Sequence, residues 1–129
     1  MFKVFRTRER GQVLVIAALM LPVLLGMSGM AVDAGSYASE RRSLQNAADA
    51  MALAGAQELP DSSAATAAAQ SWAAKNNISL SHVTIAVSGG NTAPMIRVRI
   101  DKSHNFSFVR AVGVNSADIG SRATAIKAS

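Results

Sequence analysis

From Gln12 to Val32 the chain carries no ionisable side chain, and most of these residues are Leu, Val, Ile, Met or Ala. Taken as a helix, Val13 to Val32 is about 20 residues and about 30 Å long, the hydrocarbon thickness of a bilayer. Lys3, Arg6, Arg8 and Arg10 precede this stretch, opposed only by Glu9; Asp33 and Glu40 follow it, before Arg41 and Arg42. Basic residues are retained on the cytoplasmic side of a span, so this asymmetry predicts a cytoplasmic N-terminus and an exterior position for everything after Asp33. The competing reading is a cleaved secretory signal, because Gly29-Met30-Ala31 offers the small residues that signal peptidase selects. The apolar run exceeds the usual signal core of about 7–15 residues, which favours a retained anchor.

Composition narrows the rest. Only 16% of the 129 residues are charged while 50% are hydrophobic, against about 25% charged in an ordinary soluble domain. Intrinsic disorder of the whole chain is excluded by that apolar content. With no cysteine, disulfide scaffolds, Cys-based zinc sites and thiol catalysis are excluded too. The net charge of +5 is concentrated partly in the leader before the apolar stretch.

Pro22 lies mid-span, with Gly26 and Gly29 one and two turns later, a pattern tolerated in lipid where the freed backbone groups find other partners. Small residues then recur four apart, as Ala31 with Gly35, Ala34 with Ala38, and Ala48 with Ala52 and Ala56. Such a face lets another helix approach closely, and the alternative is plain alanine helix propensity. Helical character is expected to run from Gly35 to about Leu59, where Pro60 stops it. Asp61-Ser62-Ser63 offers N-caps for a second helix, Ala64 to Lys75, closed by Asn76-Asn77. Tyr37, Leu44, Met51, Leu53 and Trp72 are the large apolar side chains on these helices and are expected to anchor packing.

The period then changes to two. Val83, Ile85 and Val87 alternate with polar or small residues, Gly89 to Pro94 forms a turn, and Ile96, Val98 and Ile100 alternate with Arg97, Arg99 and Asp101. This predicts an antiparallel hairpin with one buried face. A short helical turn over Phe106 to Val112, ending at Gly113, would carry Phe106, Phe108 and Val109 inward, and a weaker strand is expected over Ala117 to Lys127. The predicted fold class is therefore α+β and pilin-like: a transmembrane helix continuing into an extracytoplasmic helix, a second helix, and a small antiparallel sheet of about three strands. The division is a basic cytoplasmic leader (1–11), a transmembrane helix (12–32) and an extracytoplasmic stem with a small α+β domain (33–129).

Catalytic chemistry is not visible. His82 and His104 have no carboxylate at triad or ligand spacing and read as solvent-facing strand or loop residues. Gly89-Gly90 lacks the strand–loop–helix context of a phosphate cradle. Asp33, Asp49 and Asp61 are out of register for a shared metal. Arg97, Arg99, Arg110, Arg122 and Lys127 lack interleaved aromatics and read as a solvated face, not a nucleic-acid surface. No catalytic residue, cofactor, metal or nucleic-acid partner is expected.

Three stretches together resemble the TadE/TadG-like family of the tight-adherence (Flp) pilus assembly system. One is the basic leader running into Arg10-Gly11-Gln12-Val13-Leu14-Val15, followed by Leu21-Pro22-Val23-Leu24-Leu25-Gly26. The second, and most specific, is Gly29-Met30-Ala31-Val32-Asp33-Ala34-Gly35 leading to Arg41-Arg42-Ser43-Leu44-Gln45-Asn46-Ala47-Ala48-Asp49-Ala50. The third is Phe106 and Phe108, then Val112-Gly113, then the small residues Ala123, Ala125 and Ala128. The resemblance implies a non-enzymatic minor pilin or pilus-assembly protein, anchored in the inner membrane and facing outward. Its partners would be other pilins or assembly proteins met through the N-terminal helix, and self-association stays open. Ala48, Ala52 and Ala56 are the expected helix-packing face. Members of the TadE sort are cut by a prepilin peptidase after a glycine, which here implies a processing site at Gly11 and Gln12. That cut would remove a net charge of +3 and leave +2. The fifth residue after the glycine, acidic in pilin-type substrates, is Ile16, a departure that points toward the uncut TadG sort. The alternative function is a secreted or cell-wall-binding module released by signal peptidase.

Overall fold

The computed structural model describes residues 6–127, with side chains from residue 11 onward. The leader charges Lys3, Arg6, Arg8, Glu9 and Arg10, and Ala128, lie outside the residues whose side chains are described. The element order is α1 (Arg6–Gln57), α2 (Ser62–Lys75), a 3-10 turn (Leu80–His82), β1 (Val83–Ser88), β2 (Met95–Asn105), a second 3-10 turn (Val109–Val112) and β3 (Ser116–Ile126). The α+β class expected from the sequence holds. The described residues form two compact units: 6–36 with Phe106–Asn115, and Tyr37–Asn105 with 116–127.

In the first unit, α1 is helical through Pro22. Its apolar residues are exposed throughout, from Leu14 (72%) to Val32 (60%). Hydrophobic side chains with no protein around them are what a helix in lipid shows, and α1 is long and apolar enough to cross a membrane.

The second unit holds the core. α1 contributes Leu44, Ala48, Met51 and Ala52, α2 contributes Ala65, Ala69 and Ala73, and the sheet contributes Ile96, Val98, Ile100 and Ile119. The small residues on both helices are what allow close approach. A Cβ on Gly55 would fall on the Ile96 side chain and lie 2.8 Å from the Ala65 carbonyl oxygen. The Asp61 carboxylate caps α2, accepting from the Ser63 and Ala64 N–H groups at 2.9 and 3.0 Å and satisfying donors that the first turn leaves open. At the other end Asn77 takes φ +57°, the left-handed conformation that asparagine tolerates.

The sheet is an antiparallel meander in the order β1-β2-β3. Ile85 pairs with Val98 and Val87 with Ile96 on one side, and Val98 pairs with Ala123 on the other. Period two thus places Ile96, Val98 and Ile100 in the core, while Arg97 and Arg99 face out. Each buried Ile or Val contributes about 1.5–3 kcal/mol relative to exposure. The hairpin turn needs glycine at Gly89, whose φ is +90° and where a Cβ would overlap the Ala93 carbonyl.

Several expectations are corrected. Leu53 is 62% exposed and anchors nothing, because the face with Leu44, Ala48, Met51 and Ala52 is the one turned to the core. Phe108 does not point inward but is 53% exposed. His82, as expected, is exposed, in the 3-10 turn before β1.

Candidate functional site

Asp33 is the most informative polar residue in the first unit. It is buried to 3% exposure on α1, one turn after Gly29. Its Oδ1 accepts the Ser107 N–H at 3.0 Å, and its Oδ2 accepts the Phe108 and Val109 N–H groups, both at 2.7 Å. Three donors around one carboxylate allow a charge to be buried at the edge of an apolar stretch, because each N–H supplies solvation that water no longer can. The same contacts hold the 3-10 turn against the helix. The turn is closed by Ala111 N–H to the Phe108 carbonyl and by Gly113 N–H to that of Arg110. Gly29 completes the seat: a Cβ there would lie 2.6 Å from Phe108 Cγ and Cδ1. The Gly29-to-Asp33 spacing, i and i+4, therefore presents one bare position and one acceptor on the same helix face.

In the second unit Glu40 on α1 meets two side chains of β2. Lys102 Nζ lies 2.5 Å from Oε1, and His104 Nδ1 meets Oε2. The carboxyl is held below the usual glutamate range, first by its hydrogen bond to Lys102 and then by that to His104. Tyr37 packs edge-on against the His104 ring, with centroids 5.7 Å apart. This corrects the expectation of a solvent-facing, unaccompanied His104: its side chain is only 11% exposed, and its carboxylate comes from a residue 64 positions away. Sequence spacing held no signal for that pairing. Gln45 adds a further tie, donating to the Asp49 carboxylate and to the Arg122 carbonyl, each at 3.0 Å.

The arrangement fastens α1 to β2. Glu40, Lys102 and His104 are engaged with one another on packed elements, and among the described residues no group of His, Asp or Glu is placed to hold a metal ion. The expected basic face divides. Arg97, Arg99 and Arg122 lie on the exposed side of the sheet, with Arg99 paired to Asp101 at 2.6 Å. Lys127 instead donates to the Gln57 and Leu59 carbonyls.

The expected helix-packing residues are buried. Ala48 and Ala52 are 0 and 1% exposed and Ala56 is 7% exposed, all within the chain's own core. Four-residue spacing reports that something approaches closely, and here it is the chain's own core. Gly11 and Gln12 lie on exposed helix.

The family model described as putative Flp pilus-assembly TadE/G-like matches residues 11–58. These residues are similar to that family. The segment includes the apolar stretch, Gly29, Asp33, Glu40 and the alanine face, and it ends just after α1. The third stretch of the resemblance, from Phe106 onward, lies beyond the match. No curated protein and no solved structure matches the chain.

Proposed function

We propose that the chain is a non-enzymatic, single-pass component of a tight-adherence pilus, either a minor pilin or a part of the assembly platform. The observation that carries this reading is one helix, within a TadE/G-like segment, that is bare and apolar at its start and built into a folded core at its end. The chain divides into a cytoplasmic leader (1–11), a span through the inner membrane (12–32) and an extracytoplasmic body (33–129), with orientation set by the leader's basic charge. Other pilins or assembly proteins meet the exposed apolar face of α1 between Val13 and Val32; Ala48 and Ala52 are already used inside the chain.

Cleavage near Ala31 by signal peptidase would delete Gly29 and part Asp33 from the helix that carries it. The first unit is built around both, which favours retention over release. Processing at Gly11–Gln12 is expected to be poor or absent, since Ile16 replaces the acidic residue. The test is a host strain lacking this chain, scored for surface pili and complemented with the parent. Loss and restoration of pili support the role; normal piliation in the deletion strain contradicts it. A Gly11→Ala variant should migrate like the parent, and a difference in mobility would show that the bond is cut.

A further inference from the structure

We propose that the Phe106–Asn115 segment beds in the lipid interface at the C-terminal end of the α1 span, so that the first unit holds the bilayer at two places, not one. The proposal rests on reading Val13–Val32 as a retained span. Its own observations are separate. Phe108, Val112 and Val114 are 53, 73 and 47% exposed, three large apolar side chains on a ten-residue segment whose sole charged residue is the exposed Arg110.

Their height along the span is fixed by contacts within the unit. The Phe108 ring covers Gly29, three residues before the last apolar residue, or about 4.5 Å inside the boundary at Val32. Interfacial elements place their apolar faces about 5–10 Å into the boundary between headgroups and acyl chains, and Phe108 sits close to the shallow end of that range. The Asp33 carboxylate holds the Ser107, Phe108 and Val109 amides, so the segment cannot lift away from this level without losing three charge-assisted hydrogen bonds. It also satisfies backbone donors that lipid would leave unpaired. The segment and the apolar part of α1 share one compact unit. The exposed Arg110 supplies a cation that anionic headgroups attract. A phenylalanine here matches the Trp, Phe and Leu side chains that interfacial elements bury on their apolar face. The ligand class is a phospholipid surface, with anionic headgroups favoured by Arg110.

The test uses the full chain in phosphatidylcholine–phosphatidylglycerol vesicles. Trp72 is the only tryptophan, so Trp72→Phe provides a background into which Val112→Trp, at an exposed position, or Leu24→Trp, within the span, is introduced. The expected result is blue-shifted emission from Val112→Trp. Its quenching should be stronger with lipid brominated near the glycerol end of the acyl chain than with lipid brominated near the chain terminus. Leu24→Trp should show the opposite preference. Val112→Trp left unquenched while Leu24→Trp is quenched would overturn the proposal and leave the span intact. If neither is quenched, the span reading falls and the proposal with it. Val112→Trp shielded from aqueous iodide yet insensitive to brominated lipid would mean that a second copy covers the segment, which also overturns it.

Discussion

Asp33 is a single carboxylate doing the work of a cap for a turn 74 to 76 residues downstream. Removing it leaves three N–H groups without their charged acceptor, at about 1.5–3 kcal/mol for a hydrogen bond to a charged group. Asp33→Ala should therefore raise amide exchange at Ser107, Phe108 and Val109 by about ten-fold or more, with Asp33→Asn intermediate. Unchanged exchange would mean that the turn is held by other contacts. Glu40 makes a second residue-scale prediction. Its folded-state pKa is depressed, so its contribution is present above the ordinary glutamate value and is lost as pH falls through the lowered one. With Lys102 nearly half exposed, screening limits the effect, and Glu40→Gln should cost about 1 kcal/mol near neutral pH. The difference between parent and variant should shrink on acidification, as read by denaturant unfolding at several pH values. A difference that grows in acid would contradict the sign. Neither partner set was legible beforehand. A carboxylate that captures backbone amides or a histidine far along the chain leaves no local periodicity, whereas Asp61 before Ser62-Ser63 did, because a cap acts on its neighbours.

At the scale of elements, periodicity carried most of the information. Alternation at Val83, Ile85 and Val87 and again at Ile96, Val98 and Ile100 matches the two strands and the buried face of the hairpin, since a one-residue slip would turn every apolar side chain to water. Helix spacing was less complete. Alanines at 48, 52 and 56 marked a close approach but not its occupant, which is the chain's own core. Leu53 falls off the face of α1 that carries Leu44, Ala48, Met51 and Ala52 into the core, and so stays exposed. These facts fix a test. Ala52→Leu inserts methylenes into a position that is 1% exposed, and overpacking of this kind costs about 1–3 kcal/mol. The neighbouring Leu53→Ala, at an exposed site, should change stability by about 0.5 kcal/mol or less. Denaturant unfolding of the detergent-solubilised chain, followed by Trp72 fluorescence, separates them. A silent Ala52→Leu would contradict the core assignment.

For the whole molecule, function follows from how one helix is shared between two environments. Its large apolar side chains from Val13 to Val32 are exposed, while its residues from Leu44 to Ala56 are packed in the core with α2 and the sheet. That is the mechanical layout expected of a subunit held in a membrane or filament by its N-terminal helix, and it requires that the helix stay whole. A reporter fused after Ser129 should be active outside the cytoplasm, in line with the basic leader; activity in the cytoplasm would reverse the orientation. The most direct measurement is the intact mass of the mature chain recovered from the membrane fraction of cells that make it. The account predicts a species that still contains Gln12 to Val32, with Gly11 attached where the bond resists cutting. A mature chain that begins near Val32, recovered from the soluble extracytoplasmic fraction, would contradict it.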